Sequence, residues 1–184
     1  NVPGEGAAFL LLAQPDAARG RPVEAWLRGA ACRAFGTRPP YDPFRPVPDI
    51  RGMRAVMYAA LHDAGILAEE IGLVSANGSS SIFYDLLEAK AIAACFPEGT
   101  PVYSLKGALG QTGAVTPVLQ AIAAARTLTT GLCPPTLNCP DLDPAVGNLN
   151  LVREPITRDF ENAITHAIGF GGYYYAAQVW SRSQ

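Results

Sequence analysis

Imidazole is scarce in this chain of 184 residues: His62 and His166 are the whole supply. Neither has a second histidine or a thiol close by in sequence, which excludes the familiar zinc-ligand spacings. Cys32, Cys95, Cys133 and Cys139 are widely separated and form no Cys-x-x-Cys pair. A chain this long and apolar needs no disulfide staples, so reduced, partly buried thiols of a cytoplasmic protein are expected. Basic charge is also lacking. Lys and Arg number 14 against 16 Asp and Glu, for a net charge of −2, so a nucleic-acid groove is not expected. No apolar run approaches the roughly 20 residues that span a bilayer. The longest, such as Ala7 to Ala13, are strand-sized, and no signal peptide is expected. The chain opens on Asn1, from which a start further upstream, or cleavage of a precursor, is expected. With 49% hydrophobic and 16% charged residues, disorder is a poor description of the chain. Its length fits one domain or one half of a larger duplicated fold, and no internal repeat is visible.

Gly6 to Ala13 is continuously apolar and predicts a strand buried on both faces. A turn over Asp16 to Pro22 leads to a second strand within Val23 to Phe35, expected to pair with the first as a hairpin. Five prolines between Gly36 and Asp49 predict a long surface loop. Asp49 is placed to cap a helix over Gly52 to Ala64, with Met53, Val56, Met57, Ala60 and Leu61 on one face and Gly65 as its stop. A strand at Ile71 to Ala76 and a polar turn precede a helix from about Phe83 to Cys95, with Phe83, Leu86, Leu87 and Ala91 inward. Pro101 to Leu105 is a short strand. A helix over about Ala114 to Thr130 turns Val118, Leu119, Ile122, Ala125 and Leu128 inward, and Gly131 ends it. Leu132 to Leu142 is extended loop. His166 to Gly169, a glycine turn, and Tyr173 to Trp180 close the chain as two strands. Strands alternate with helices, so the class is α/β with a mixed sheet in layers.

Three glycine-bearing loops follow strands: Asn77 to Ser81, Lys106 to Gly113 and Gly169 to Gly172. In open α/β sheets, ligands gather beyond the carboxyl ends of strands. Glycine there lets backbone approach a ligand closely. Together with other motifs, these loops resemble the C-terminal half of a β-ketoacyl synthase (ketosynthase) of the thiolase-like group. Gly4-Glu5-Gly6-Ala7 is similar to the family's GEGA strand. Asn77-Gly78-Ser79, with Asp85 and Glu88 eight and eleven residues after Asn77, is similar to its HGT…D..E motif. Ser104-Leu105-Lys106 with Gly110-Gln111 is similar to SxKxxxGH, Pro134-Pro135-Thr136-Leu137-Asn138 to PPTxN, and Gly169-Phe170-Gly171-Gly172 to GFGG. The resemblance covers nearly the whole chain. It implies a thiolase-like layered αβα half with a mixed five-stranded sheet over residues 1–184, completed by an N-terminal half on another polypeptide.

The same resemblance implies a nucleophilic cysteine in that missing half and two histidines at positions 77 and 111 of this chain. Here those positions are Asn77 and Gln111, while the supporting Lys106 and Glu88 remain. Claisen condensation on an acyl thioester needs the enolate charge stabilised, and two imidazole N–H groups do this in the family. Losing one such donor typically costs about 10²–10³-fold in rate. Asn and Gln amides still donate hydrogen bonds but cannot relay a proton near neutral pH. The pattern is similar to the chain-length factor (KSβ) subunits of type II polyketide synthases. It implies a non-condensing partner that pairs with an active ketosynthase (KSα) as a heterodimer and shapes the tunnel for the growing chain. An acyl carrier protein would deliver substrate on its phosphopantetheine, and no metal or bound organic cofactor is implied.

A second reading is an active acyl-transferring or condensing complex in which Asn77 or Gln111 holds the thioester carbonyl. A free-standing interaction module is a third. Plain structural readings stand beside these. Asn77 and Gln111 also suit loop positions that satisfy backbone groups. Lys106 and Glu88 also suit a structural ion pair. Phe170, with Gly171, resembles the gating loop of active relatives but also suits a core position. His166 replaces a usual Asn of the family and is expected to be structural, as is a solvated His62. Alternation sends Tyr174 to the face opposite Tyr173 and Tyr175. Cys95, Cys133 and Cys139 have no histidine close in sequence and are poor nucleophile candidates.

Overall fold

The computed structural model describes residues 2–34, 49–169 and 174–183. In chain order the elements are α1 (Pro15–Ala18), β1 (Ala25–Ala34), α2 (Ile50–Ala64), β2 (Leu73–Ser75), α3 (Ile82–Cys95), β3 (Val102–Tyr103), α4 (Lys106–Leu109), α5 (Thr116–Thr130), β4 (Leu132–Cys133), β5 (Ile156–Thr157), β6 (Asn162–Ile168) and β7 (Tyr174–Arg182). Five strands form one mixed sheet in the order β1-β7-β6-β2-β3. The β1–β7 and β7–β6 pairs are antiparallel, and β2 lies parallel to both β6 and β3. Ser75 is opposite Tyr103 on one side and Thr165 on the other, so β3, β2 and β6 end side by side.

Period-two alternation divides the apolar side chains between two cores. Val74, Val102, Ile164 and Val179 pack toward α2 and α3. Their neighbours Leu73, Tyr103, Ala163 and Trp180 pack toward α5. The expected α/β class and five-stranded mixed sheet are therefore present, with helices on both faces.

Helix α2 forms where its sequence says it should. The Asp49 side chain accepts from the Arg51 N–H, and Gly65 closes the helix with φ +64°. Met53, Val56, Met57, Ala60 and Leu61 are all buried. The helix approaches β1 closely at Gly29. A Cβ there would stand 2.5 Å from the Ala60 carbonyl oxygen. The β1–β7 register also shifts between Leu27 and Gly29.

Several expectations are corrected. Residues 6–13 form no strand, and Phe9 and Leu11 are 93% and 87% exposed. The hairpin partner expected for β1 is replaced by β7. A run that is apolar on both sides gains little beside an edge strand with one face in water, and this sheet offers it no covered slot. Phe83 is 54% exposed at the start of α3. On α5 the buried set is Thr116, Gln120, Ala121, Ala124, Ala125, Thr127 and Leu128, leaving Val118, Leu119 and Ile122 half-buried. Small side chains let this helix sit close to the sheet, so the bulkiest residues do not mark its inner face. The segment read as loop from Leu132 begins with β4, paired antiparallel with β5. Alternation holds where it is visible: Tyr175 is buried and Tyr174 exposed. The proline-rich loop lies, over residues 36–48, outside the described residues, as do Phe170 and Gly171.

Candidate functional site

The carboxyl end of β2 runs into Asn77-Gly78-Ser79, and α3 returns two carboxylates to this turn. Asp85 and Glu88 are three residues apart and so share a helix face. Glu88 accepts from the Asn77 N–H (2.8 Å) through one oxygen and from the Gly78 N–H (2.9 Å) through the other. Asp85 accepts from the Ser79 N–H (2.7 Å) and hydroxyl (2.9 Å). Gly78 has φ +45°, and a Cβ on it would lie 2.7 Å from the Ser104 Cβ. Only glycine fits this turn.

Two further strands complete the cluster. Beyond β3, the Lys106 ammonium donates to Asn77 Oδ1 (2.8 Å), and the Ser104 N–H donates to the Thr136 hydroxyl (3.0 Å). From β6, His166 presents Nδ1 to Glu88 at 2.6 Å. An ionised carboxylate only accepts, so Nδ1 carries the hydrogen. The ring is fully buried and stacks on Tyr175 at 6.3 Å between centroids. Its Nε2 has no hydrogen-bond partner among the described residues. From α5, the Gln120 carboxamide donates toward the carbonyls of Ser75, Ala76 and His166, tying the ends of β2 and β6 together.

Gln111 follows α4. Its N–H donates to the Val2 carbonyl (2.8 Å) and its own carbonyl accepts from the Gly4 N–H (3.1 Å). The Asn138 side chain donates to the Gly107 carbonyl (2.7 Å), bracing α4 against the 134–139 loop. These elements enclose a cavity of about 740 Å³ whose wall includes Ser79, Glu88, Lys106, Gln111, Thr136 and Asn138.

Burial would raise the Glu88 pKa, but the His166 bond, its proximity, and the Gly78 and Asn77 amides outweigh it, holding the carboxyl below its ordinary value. Asp85 moves the other way: burial, then the neighbouring Glu88 charge, raise it despite its bonds from Ser79. Burial lowers the Lys106 ammonium, opposed by the charges of Glu88 and Asp85. Burial also raises the Cys95 thiol and pushes Cys133 up to about 12. Neither is a nucleophile at neutral pH. No group of three or more His, Cys, Asp or Glu suited to a metal occurs among the described residues. No helix among them is long and apolar enough to cross a membrane.

Asn77, Glu88 and Lys106 thus form one buried network. Glu88, Lys106 and Gln111 line the cavity, and Asn77 lies between its wall residues Ala76 and Gly78 in sequence without being one of them. The expected Lys106–Glu88 ion pair is not made: Lys106 bonds to Asn77 and Glu88 to His166. The role of His166 escaped the sequence, where an isolated histidine 78 residues beyond its carboxylate gives no local signal. His62 is exposed, as expected.

Residues 28–140 match the family described as "Beta-ketoacyl synthase, C-terminal domain". The chain is 32% identical over 177 residues to 3-oxoacyl-[acyl-carrier-protein] synthase 2 of Mycobacterium leprae, covering 94% of this chain and 41% of that protein. It is 30% identical over 176 residues to the chloroplastic 3-oxoacyl-[acyl-carrier-protein] synthase I of Hordeum vulgare, covering 94% of this chain and 37% of that one. Among solved structures it resembles the ishigamide ketosynthase/chain length factor, with a TM-score of 0.83, 25% identity, and coverage of 92% of this chain and 41% of that chain. It also resembles a type II polyketide synthase acyl-carrier protein in complex with its ketosynthase, with a TM-score of 0.80, 25% identity, and coverage of 92% and 42%. The chain spans about two-fifths of the length of the curated relatives it matches. With its five-stranded mixed sheet and both helical layers, it belongs to the β-ketoacyl synthase family and is the C-terminal, thiolase-like half of a ketosynthase domain.

Proposed function

We propose that this chain is the C-terminal half of a non-condensing ketosynthase-like subunit of the chain-length-factor type. It pairs with an active ketosynthase and shapes the tunnel for a growing acyl or polyketide chain. The observation that carries this reading is the chemistry at positions 77 and 111. Both are amides, and the Asn77 oxygen is already engaged by the Lys106 ammonium. Such a site hydrogen-bonds a carbonyl but cannot exchange the proton that imidazole would. In this reading an N-terminal half completes the fold, and the active partner supplies the cysteine and both histidines. An acyl carrier protein delivers substrate on phosphopantetheine, no cofactor is bound, and the assembly works in the cytoplasm.

The test is turnover of the purified assembly with a malonyl-loaded carrier protein. Asn77→Ala with Gln111→Ala is expected to leave condensation within about twofold, far short of the 10²–10³-fold loss that follows removal of an oxyanion donor. Substitutions that fill the tunnel are expected to change product length.

A second reading is the C-terminal part of an active β-ketoacyl-ACP synthase with altered site residues. It is favoured by the curated relatives at 30–32% identity, which are named as synthases. Under it the Asn77 carboxamide holds the thioester oxygen, and the same double substitution lowers turnover by about 10²-fold or more.

A further inference from the structure

The sequence alone suits Lys106 and Glu88 to a structural ion pair beside the turn after β2. That pairing is replaced here by two separate bonds, Lys106 to Asn77 and His166 to Glu88. We propose that His166 is the positioning residue of this site: acting through Glu88, it sets the Asn77–Gly78 turn so that the Asn77 carboxamide presents its NH2 group to a ligand carbonyl. The ligand class, an acyl thioester held by Asn77, rests on the second reading proposed above; the positioning role does not.

The geometry divides the labour between the two ends of Asn77. Its backbone N–H is held by Glu88 Oε1, the same oxygen that receives the His166 Nδ1–H. The next N–H, of Gly78, is held by Oε2. Its side-chain oxygen accepts from Lys106 and, at 3.4 Å, from the Ile168 N–H, two residues beyond His166 on the same strand. The NH2 group makes no hydrogen bond to the described residues and is the part left for a ligand. An ammonium on the oxygen of an amide polarises its N–H bonds, which strengthens them as donors.

The imidazole is itself constrained from three sides. Its backbone carbonyl accepts from Gln120, its ring lies against Tyr175, and its Nδ1 is committed to Glu88. The charged group that meets it is Glu88, and Asp85 from α3 and Lys106 from α4 act on Glu88 in turn. Without the imidazole, Glu88 would be a buried carboxylate with two backbone donors alone. Burial would favour its neutral form, a weaker acceptor for the Asn77 and Gly78 amides.

The test uses the full chain in the assembly in which it is purified. With two histidines in the chain, and His62 exposed as an internal reference, imidazole ¹⁵N spectra report His166 directly. The expected wild-type signature is the Nδ1–H tautomer, with a slowly exchanging, strongly downfield proton. A bare Nδ1 would overturn the proposal.

His166→Phe keeps a ring against Tyr175 and removes the hydrogen bond. It is expected to lower hydrogen-exchange protection of the Asn77 and Gly78 amides by about tenfold, the scale of one lost charge-assisted bond. Protection of Val179 in β7 should stay as it was. His166→Asn, whose amide can still donate to Glu88, is expected to restore much of it. Unchanged protection in His166→Phe would overturn the proposal, as would equal losses in the two variants.

Binding of S-hexanoyl-N-acetylcysteamine, read from the Asn77 side-chain amide resonances, separates the two layers of the argument. If His166→Phe moves the exchange rates and wild type ignores the thioester, the positioning role stands and the thioester reading fails. If wild type binds the thioester and His166→Phe binds it equally well, positioning fails and the thioester reading stands.

Discussion

At Gly78 the constraint is the backbone. Its φ of +45° and the 2.7 Å approach that a Cβ would make to the Ser104 Cβ leave no room for a side chain. Gly78→Ala is expected to lose about 1–3 kcal/mol of stability, measured by urea unfolding, and to disturb the Asn77 amide resonances. Glu88 carries the pH dependence of the site. Its carboxyl is held below its ordinary value in the folded chain, so between that value and the lower folded one the unfolded chain binds more protons. The resulting stability is present above the ordinary glutamate range, about pH 4, and is lost as pH falls through the folded value. Glu88→Gln is expected to remove this acid dependence from the unfolding midpoint and to cost about 1–3 kcal/mol at neutral pH, because an amide cannot accept from all three buried donors at Asn77, Gly78 and His166. Much of this site was legible as residues but little as bonds. The eight- and eleven-residue spacings from Asn77 to Asp85 and Glu88 marked both carboxylates by their likeness to the family motif, and the structure sets them on the face of α3 that meets the turn. That Glu88 meets an imidazole depends on a strand 78 residues away, and no local pattern encodes that.

At the scale of elements, legibility followed the strength of local signals. Helix α2 carries its cap, its apolar face and its glycine stop within one segment, and all three are found in place. The run over residues 6–13 carries an equally strong local signal and forms no strand, because a strand needs a partner that sequence alone does not supply. The inner face of α5 was misread because it is built from Ala, Thr and Gln, which hydrophobic periodicity passes over. Gln120→Leu tests that face. It keeps the volume but strips the donor shared by three strand-end carbonyls, and a loss of about 1–3 kcal/mol in urea unfolding is expected. Gly29→Val is expected to push α2 away from β1 at a cost of about 1–3 kcal/mol, read as a lowered Tm.

At the scale of the whole molecule, the family was legible from five short motifs in their order, while the sheet order that unites them was not. Large apolar side chains stand in solvent on this half: Phe9, Leu11 and Leu12 on one segment, Ile82 and Phe83 on another. They add nothing to either core. Phe9→Asp is therefore expected to change the chain's own unfolding free energy by no more than about 0.5 kcal/mol. Under the proposed function the same substitution weakens packing against the N-terminal half of the ketosynthase fold, which a lowered Tm of the purified assembly would register.

The side-by-side exits of β3, β2 and β6 have a practical meaning for anyone wishing to alter this protein. The segments that follow β2 and β3 each leave a paired strand, with Ser75 flanked by Tyr103 and Thr165. Residues 77–81 and 104–113 meet through the Lys106–Asn77 bond and the close Gly78–Ser104 approach, so a transplant from a relative has to carry both together. The recipient's layers underneath would serve as a common chassis for exchanging one specificity for another.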